Sequence, residues 1–201
     1  WMSLLIDVGL ETERKTAYEN IAKSYAEATR YYHTLNHIEF CLDFFDKVIQ
    51  DGCDFVDPFS LELSIWFHDV IYKPTRHDNE VRSAAYASEV LANLGINKDK
   101  IGEIRNFIML TKHPSKPGSN DEKLLVDIDL SILAADQVVY DKYENDISLE
   151  YAHLPRFLYK RGRKKFLKSL LKMDSIFFSS YFVQSYEEKA KNNLQRAIEM
   201  L

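Results

Sequence analysis

Pro58-Phe-Ser-Leu-Glu-Leu-Ser-Ile-Trp-Phe-His-Asp-Val-Ile71 is apolar on almost every side when wound as a helix, with Asp57 placed to cap it and Pro58 in its first turn. A helix apolar all round belongs in the middle of a core, so other helices must surround it. Its His68 and Asp69 are therefore not ordinary surface residues. An imidazole beside a carboxylate is costly to desolvate, and a divalent metal is the strongest partner that can offset that cost.

Working outward, helical periodicity recurs along the chain. Thr12 is placed to cap a helix to about Thr29, with Ala17, Ile21, Tyr25 and Ala28 on its buried face. A second, from about Tyr31 to Ile49, carries Leu35, Ile38, Leu42 and Phe45, and Gly52 stops it. After Pro74, Asp78-Asn79-Glu80 opens a helix rich in small residues that ends at Gly95. Others are expected from Asn97 or Lys98 to Lys112, from Glu122 to Ala135 with Asn120 as cap, and near Gln137–Tyr151, Pro155–Met173 and Tyr186–Met200. Alternating strands bounded by hairpin turns are absent from the pattern. The expected fold is all-α, one domain over residues 1–201, with no significant sheet.

The 201 residues suffice for one substantial core, and a hydrophobic content of 46% fits a globular chain. Net charge is −5, with 26 basic and 31 acidic residues well mixed, which gives no extended basic field for nucleic acid. Within the basic run Lys160–Lys165, Arg161 and Arg163 are candidate substrate contacts beside the plainer reading of a solvated helix face. Cys41 and Cys53 match neither a zinc ribbon nor a redox pair, so reduced thiols and a cytoplasmic setting are expected. The apolar stretch Trp1–Leu10 is short and lacks a basic leader region, and no segment is long enough to span a bilayer. A membrane role is not expected, and self-association is left open.

The residues that could carry chemistry fall in three places. His33 and His37 are four apart, which on a helix puts both on one face. Taken singly, either is more commonly a buried histidine bonded to backbone or carboxylate. Together with His68-Asp69 and the pair Asp127 and Asp129, they offer two nitrogen ligands and two carboxylates from three helices, with coordination positions left for water. Such a set suits one divalent ion among Mn²⁺, Fe²⁺, Mg²⁺, Ni²⁺ and Zn²⁺.

In order and type, these residues resemble the signature of the HD superfamily of metal-dependent phosphohydrolases: a first His, a later His-Asp doublet and a distant Asp. Arg30-Tyr-Tyr-His-Thr-Leu-Asn-His37, Trp66-Phe-His-Asp-Val-Ile-Tyr72, Asp78-Asn-Glu-Val-Arg-Ser83 and Asp127-Ile-Asp-Leu-Ser-Ile-Leu133 are similar to a small bacterial group within it, over about residues 15–200. The resemblance implies an HD-type helical bundle, with a metal-site core at about 30–135 and C-terminal helices 137–201 packed on it. It implies His37, His68 and Asp69 as metal ligands together with a last Asp, either Asp129, which fits the pattern better and leaves Asp127 as a supporting partner, or Asp127 itself. A more distant similarity, to cyclic nucleotide phosphodiesterases, implies His33 as the acid that protonates the leaving oxygen.

The implied reaction is hydrolysis of a small phosphorylated, nucleotide-like substrate, a phosphomonoester or phosphodiester, with Asp69 or Asp129 taking a proton from the attacking water. Arg30 could hold a phosphate oxygen, and Asp78, Asn79 or Glu80 could line the pocket, against their equally simple roles as caps and ion pairs. His113 stands where two-metal relatives supply further histidines, but His77 falls in a polar loop, so a second metal is possible without a full set of histidines to hold it. The rival readings are a sensor that binds metal and nucleotide without turnover, and a di-iron oxygenase, which would require more histidines.

Overall fold

The computed structural model describes residues 1–6, 8–112 and 116–201. The described residues form nine α-helices and no strand: α1 Glu11–Tyr25, α2 Leu35–Gln50, α3 Pro58–Phe67, α4 Asn79–Asn93, α5 Lys98–Leu110, α6 Asn120–Leu130, α7 Gln137–Glu150, α8 Arg156–Leu171 and α9 Ser180–Met200. A single 3₁₀ turn, Ser131–Ala134, follows α6. The all-α, single-domain expectation holds.

α3 lies where its composition puts it, packed against α2, α4, α5 and α6. Leu61, Leu63, Ile65 and Phe67 are buried along with Ser60 and Ser64. Two of the buried hydroxyls are accounted for: Ser64 donates to the Ser60 carbonyl at 2.7 Å, and Ser60 lies within hydrogen-bond reach of Asp57 and Glu103. Asp57 caps the helix by accepting from the Ser60 amide, and its own amide is held by Asp121 of α6 at 2.8 Å. The two helices that flank the site are thereby joined at their N-termini.

The C-terminal helices build on this core. α9 packs on the 3₁₀ turn, α7 and α8. One continuous apolar cluster runs from Leu5 through Ala197.

Several helix ends differ from the sequence expectation, each for a reason supplied by tertiary contacts. α2 begins at Leu35, not Tyr31, because the amides of Tyr31, Tyr32 and His33 all donate to Glu150 Oε1, each at 2.9 Å. His33 is consequently on a loop, and its shared helical face with His37 is not formed. α1 begins at Glu11 and ends at Tyr25, without Thr12 as its cap. The cap of α6 is Ser119, reciprocated by Glu122, where Asn120 was expected. α9 starts six residues before Tyr186, capped by Ser179.

Candidate metal centre

α3 ends at Phe67, so His68 is its C-cap, and Asp69 lies just beyond. The last carbonyls of α3 are met by the Tyr25 hydroxyl on Trp66 and the Val70 amide on Phe67, and Arg30 holds the carbonyls just beyond the helix. Its guanidinium, 1% exposed, donates to the carbonyls of Asp69 at 2.7 Å, Val70 at 2.9 Å and His33 at 3.1 Å. Arg30 also lies over the Tyr25 and Tyr72 rings. Its expected contact with a phosphate oxygen is not what the fold uses it for: it ties the His33 loop to the His68-Asp69 doublet.

Four side chains converge at this point. His37 Nε2 lies 3.1 Å from His68 Nε2 and 3.4 Å from Asp129 Oδ1, and His68 Nε2 lies 3.5 Å from that same oxygen. Asp69 Oδ2 is 3.2 Å from His68 Nε2 and 3.8 Å from His37 Nε2. Bonds of about 2.1 Å from one ion to nitrogen and oxygen ligands would set neighbouring donors about 3.0–3.4 Å apart. The spacing fits, and the group His37, His68 and Asp129 could hold a metal ion.

The second ring nitrogens are also engaged. His68 Nδ1 donates to the Ile65 carbonyl at 2.9 Å, so Nε2 is the nitrogen that faces the cluster. His37 Nδ1 is 3.7 Å from the Cys41 sulfur, whose thiol burial pushes well up. Burial also lowers the pKa of His37, favouring the neutral imidazole that ligates metals. Burial works the same way on His68, but the charges and hydrogen bonds of Asp69 and Asp129 outweigh it and raise His68 well above its ordinary value. Asp69, despite its own burial, is held well below the usual carboxylate range by His68 and His33. The cluster thus favours positive charge between its carboxylates, which a metal ion held there would supply.

His33 approaches from the loop. Its Nε2 is 3.8 Å from Asp69 Oδ2, its Nδ1 is 2.6 Å from Glu150 Oε2, and its ring stacks on Tyr72 at 3.8 Å. Burial would raise the Glu150 carboxyl, but His33 and the backbone amides outweigh it and hold it at about 2. Glu150 is the residue the sequence reading missed. It lies at the end of α7, 117 positions from His33, and no local motif announces the pairing.

Asp127 and Asp129 separate onto opposite sides of α6, as residues two positions apart on a helix do. Asp127 is fully buried and accepts from the Phe178 and Ser179 amides, both at 2.7 Å. It anchors the start of α9, and the expectation that it supports the metal site is corrected. Asp78 is exposed and pairs with Arg82 at 2.7 Å, and Asn79 clips both backbone groups of Lys73. Neither reaches the cavity. Glu80 does line it, and its Oε2 is buried without a hydrogen bond, as is the Tyr32 hydroxyl on the same wall. His113 lies outside the described residues. Arg163 is on the cavity wall but is paired with Glu144, whereas Arg161 borders a separate basic groove with Lys164, Lys165 and Lys168.

The cavity has a volume of about 460 Å³, and His33, His68, Asp69 and Asp129 are among the residues that line it. Its other walls come from the 3₁₀ turn, α7 and α8. No family model matches the sequence, and no curated protein or solved structure matches it. Fold and site together define an all-helical protein with two buried histidines and a half-buried Asp129 that could hold a metal ion. No described helix is long and apolar enough to cross a membrane.

Proposed function

We propose that this protein is a metal-dependent phosphohydrolase that cleaves a phosphomonoester or phosphodiester. The observation that carries the reading is the meeting of two unlike parts in one cavity: a group that fits a divalent ion, and a histidine held for proton transfer beside it. The similarity of the four quoted segments to HD phosphohydrolases points to the same reaction.

An ion held by His37, His68, Asp69 and Asp129 would supply Lewis acidity, acidifying water and offsetting charge on phosphoryl oxygens. The chain's own groups do the rest. Glu150 accepts the Nδ1 proton of His33, so the proton available for transfer is on Nε2, the nitrogen that faces Asp69. As the P–O bond breaks, His33 Nε2 gives that proton to the leaving oxygen. Asp69 takes the proton released by the attacking water. Arg30 keeps donor and acceptor in register, because one guanidinium holds the backbone of both.

Turnover of a phosphoester panel with each of Mn²⁺, Mg²⁺, Fe²⁺, Ni²⁺ and Zn²⁺ tests the reading. Activity should require added metal and should be lost in His68→Ala and Asp129→Ala, together with bound metal by elemental analysis. Ligand binding with no turnover under any metal would replace hydrolysis with the sensor role.

A further inference from the structure

The acidic excess of the chain is not evenly spread. Residues 151–173 contain no Asp or Glu, and eight of the 26 basic residues fall there, so the rest of the chain sets 18 against all 31 acidic ones, a net charge of −13. α8 carries this block. Arg163 turns inward to Glu144 at 2.8 Å, and among the described residues this is the one ion pair that involves α8 or its C-cap Lys172. Arg161, Lys164, Lys165, Lys168 and Lys172 lie on another side, Lys164 half-buried and the others exposed, and with Ser169 they line a shallow groove.

At three- and four-residue spacing these five side chains are neighbours on one helix face, about 17 Å from end to end, and each stands beside a like charge. An anionic surface laid against the face would offset that repulsion. Phe157 and Leu158, one turn before Arg161 on the same face, are 70% and 43% exposed. Exposed apolar side chains at the end of a basic stripe suit a helix lying in a lipid interface, with cations over anionic headgroups and the ring at the acyl boundary. Nucleic acid fits less well. The stripe has one hydroxyl, Ser169, and no amide side chain to read base edges, and no aromatic ring stands between its cations for bases to stack on.

We infer that the exposed face of α8 docks the protein reversibly on an anionic phospholipid bilayer, its cations over the headgroups and Phe157 and Leu158 at the acyl boundary. The acidic remainder of the chain does not prevent this, because salt screens charges more than about 8–10 Å from the contact. The expectation against a membrane role concerned a spanning segment, and no described helix is long and apolar enough to cross. A face laid on the surface is a different contact. Leu158 also lines the cavity, so docking sets part of the cavity rim at the lipid surface. The inference stands whether or not the site hydrolyses a phosphoester.

The test is sedimentation of the full chain, at physiological ionic strength, with vesicles of phosphatidylcholine alone and of phosphatidylcholine with about 30% phosphatidylserine. The protein should bind only the mixed vesicles. Each cation near the surface contributes about fivefold in affinity, so Lys165→Gln with Lys168→Gln should weaken binding by about 25-fold, and Arg161→Gln with Lys172→Gln by a similar factor. Lys165 and Lys168 are exposed and glutamine is a good helix former, so the first pair should melt with the wild type. Phe157→Ala should weaken binding about tenfold. No binding to the mixed vesicles, equal binding to both kinds, or binding unaltered in both double variants overturns the inference. A loss in the charge variants with none in Phe157→Ala, or tighter binding of a single-stranded oligonucleotide than of the vesicles, overturns it too, by making the face a site for polyanions in place of lipid.

Discussion

His33 is held in place by Glu150 on one ring nitrogen and Tyr72 on its face, both from distant segments, and by nearby Arg30 on its carbonyl. A residue so placed and not itself a ligand should affect the reaction more than the metal. His33→Asn is expected to lower kcat by about 10²–10⁴-fold, the range for a lost general acid, with metal content unchanged by elemental analysis. Glu150 carries a separate consequence for pH. Its carboxyl is held at about 2, below its ordinary value, so its charged form stabilises the native state. The contribution is fully present above the unfolded pKa of about 4.3 and is lost as pH falls toward 2; a shift of that size corresponds to about 3 kcal/mol. Glu150→Gln should therefore melt well below the wild type at neutral pH, and the gap should close in melts taken toward pH 2. A gap unchanged across that range would show that the ionised carboxylate is not what stabilises the loop.

At the scale of elements, buried acidic side chains set where helices begin. Asp121 joins α6 to the start of α3, Asp127 holds the chain entering α9, and Glu187 accepts the amides of Ile176 and Phe177 ahead of it. Asp127→Ala would leave two buried amides without acceptors, at a cost of about 2–4 kcal/mol. Chemical denaturation should show that loss while bound metal stays at the wild-type level, because Asp129 projects from the other side of α6. Loss of metal with no loss of stability would reverse the assignments of the two aspartates. The same elements show what was legible in the sequence. α3 and the Asp57 cap followed from local pattern, since apolar periodicity and capping depend on residues a few positions apart. The start of α2 did not, because the acceptor that draws Tyr31, Tyr32 and His33 out of a helix is Glu150, more than a hundred residues away.

Across the whole molecule, the residues that could hold a metal come from α2, the C-cap of α3 and α6, so an ion held among them would cross-link three elements of one core. Metal should stabilise the native state by about 2.7 kcal/mol when present at a hundredfold its Kd. Thermal melts with and without Mn²⁺ should show the rise, and Asp129→Ala should abolish it. An equal rise in that variant would place the ion elsewhere. The sequence by itself determined the helical class, the central position of α3 and the residue types of the cluster, because those depend on composition and short-range spacing. Only the tertiary structure decided between Asp127 and Asp129, moved His33 off the helix of His37, turned Arg30 from a phosphate contact into a backbone clamp and brought Glu150 to His33. Each of those outcomes depends on which distant group reaches a buried donor or acceptor first, and only packing in three dimensions determines that.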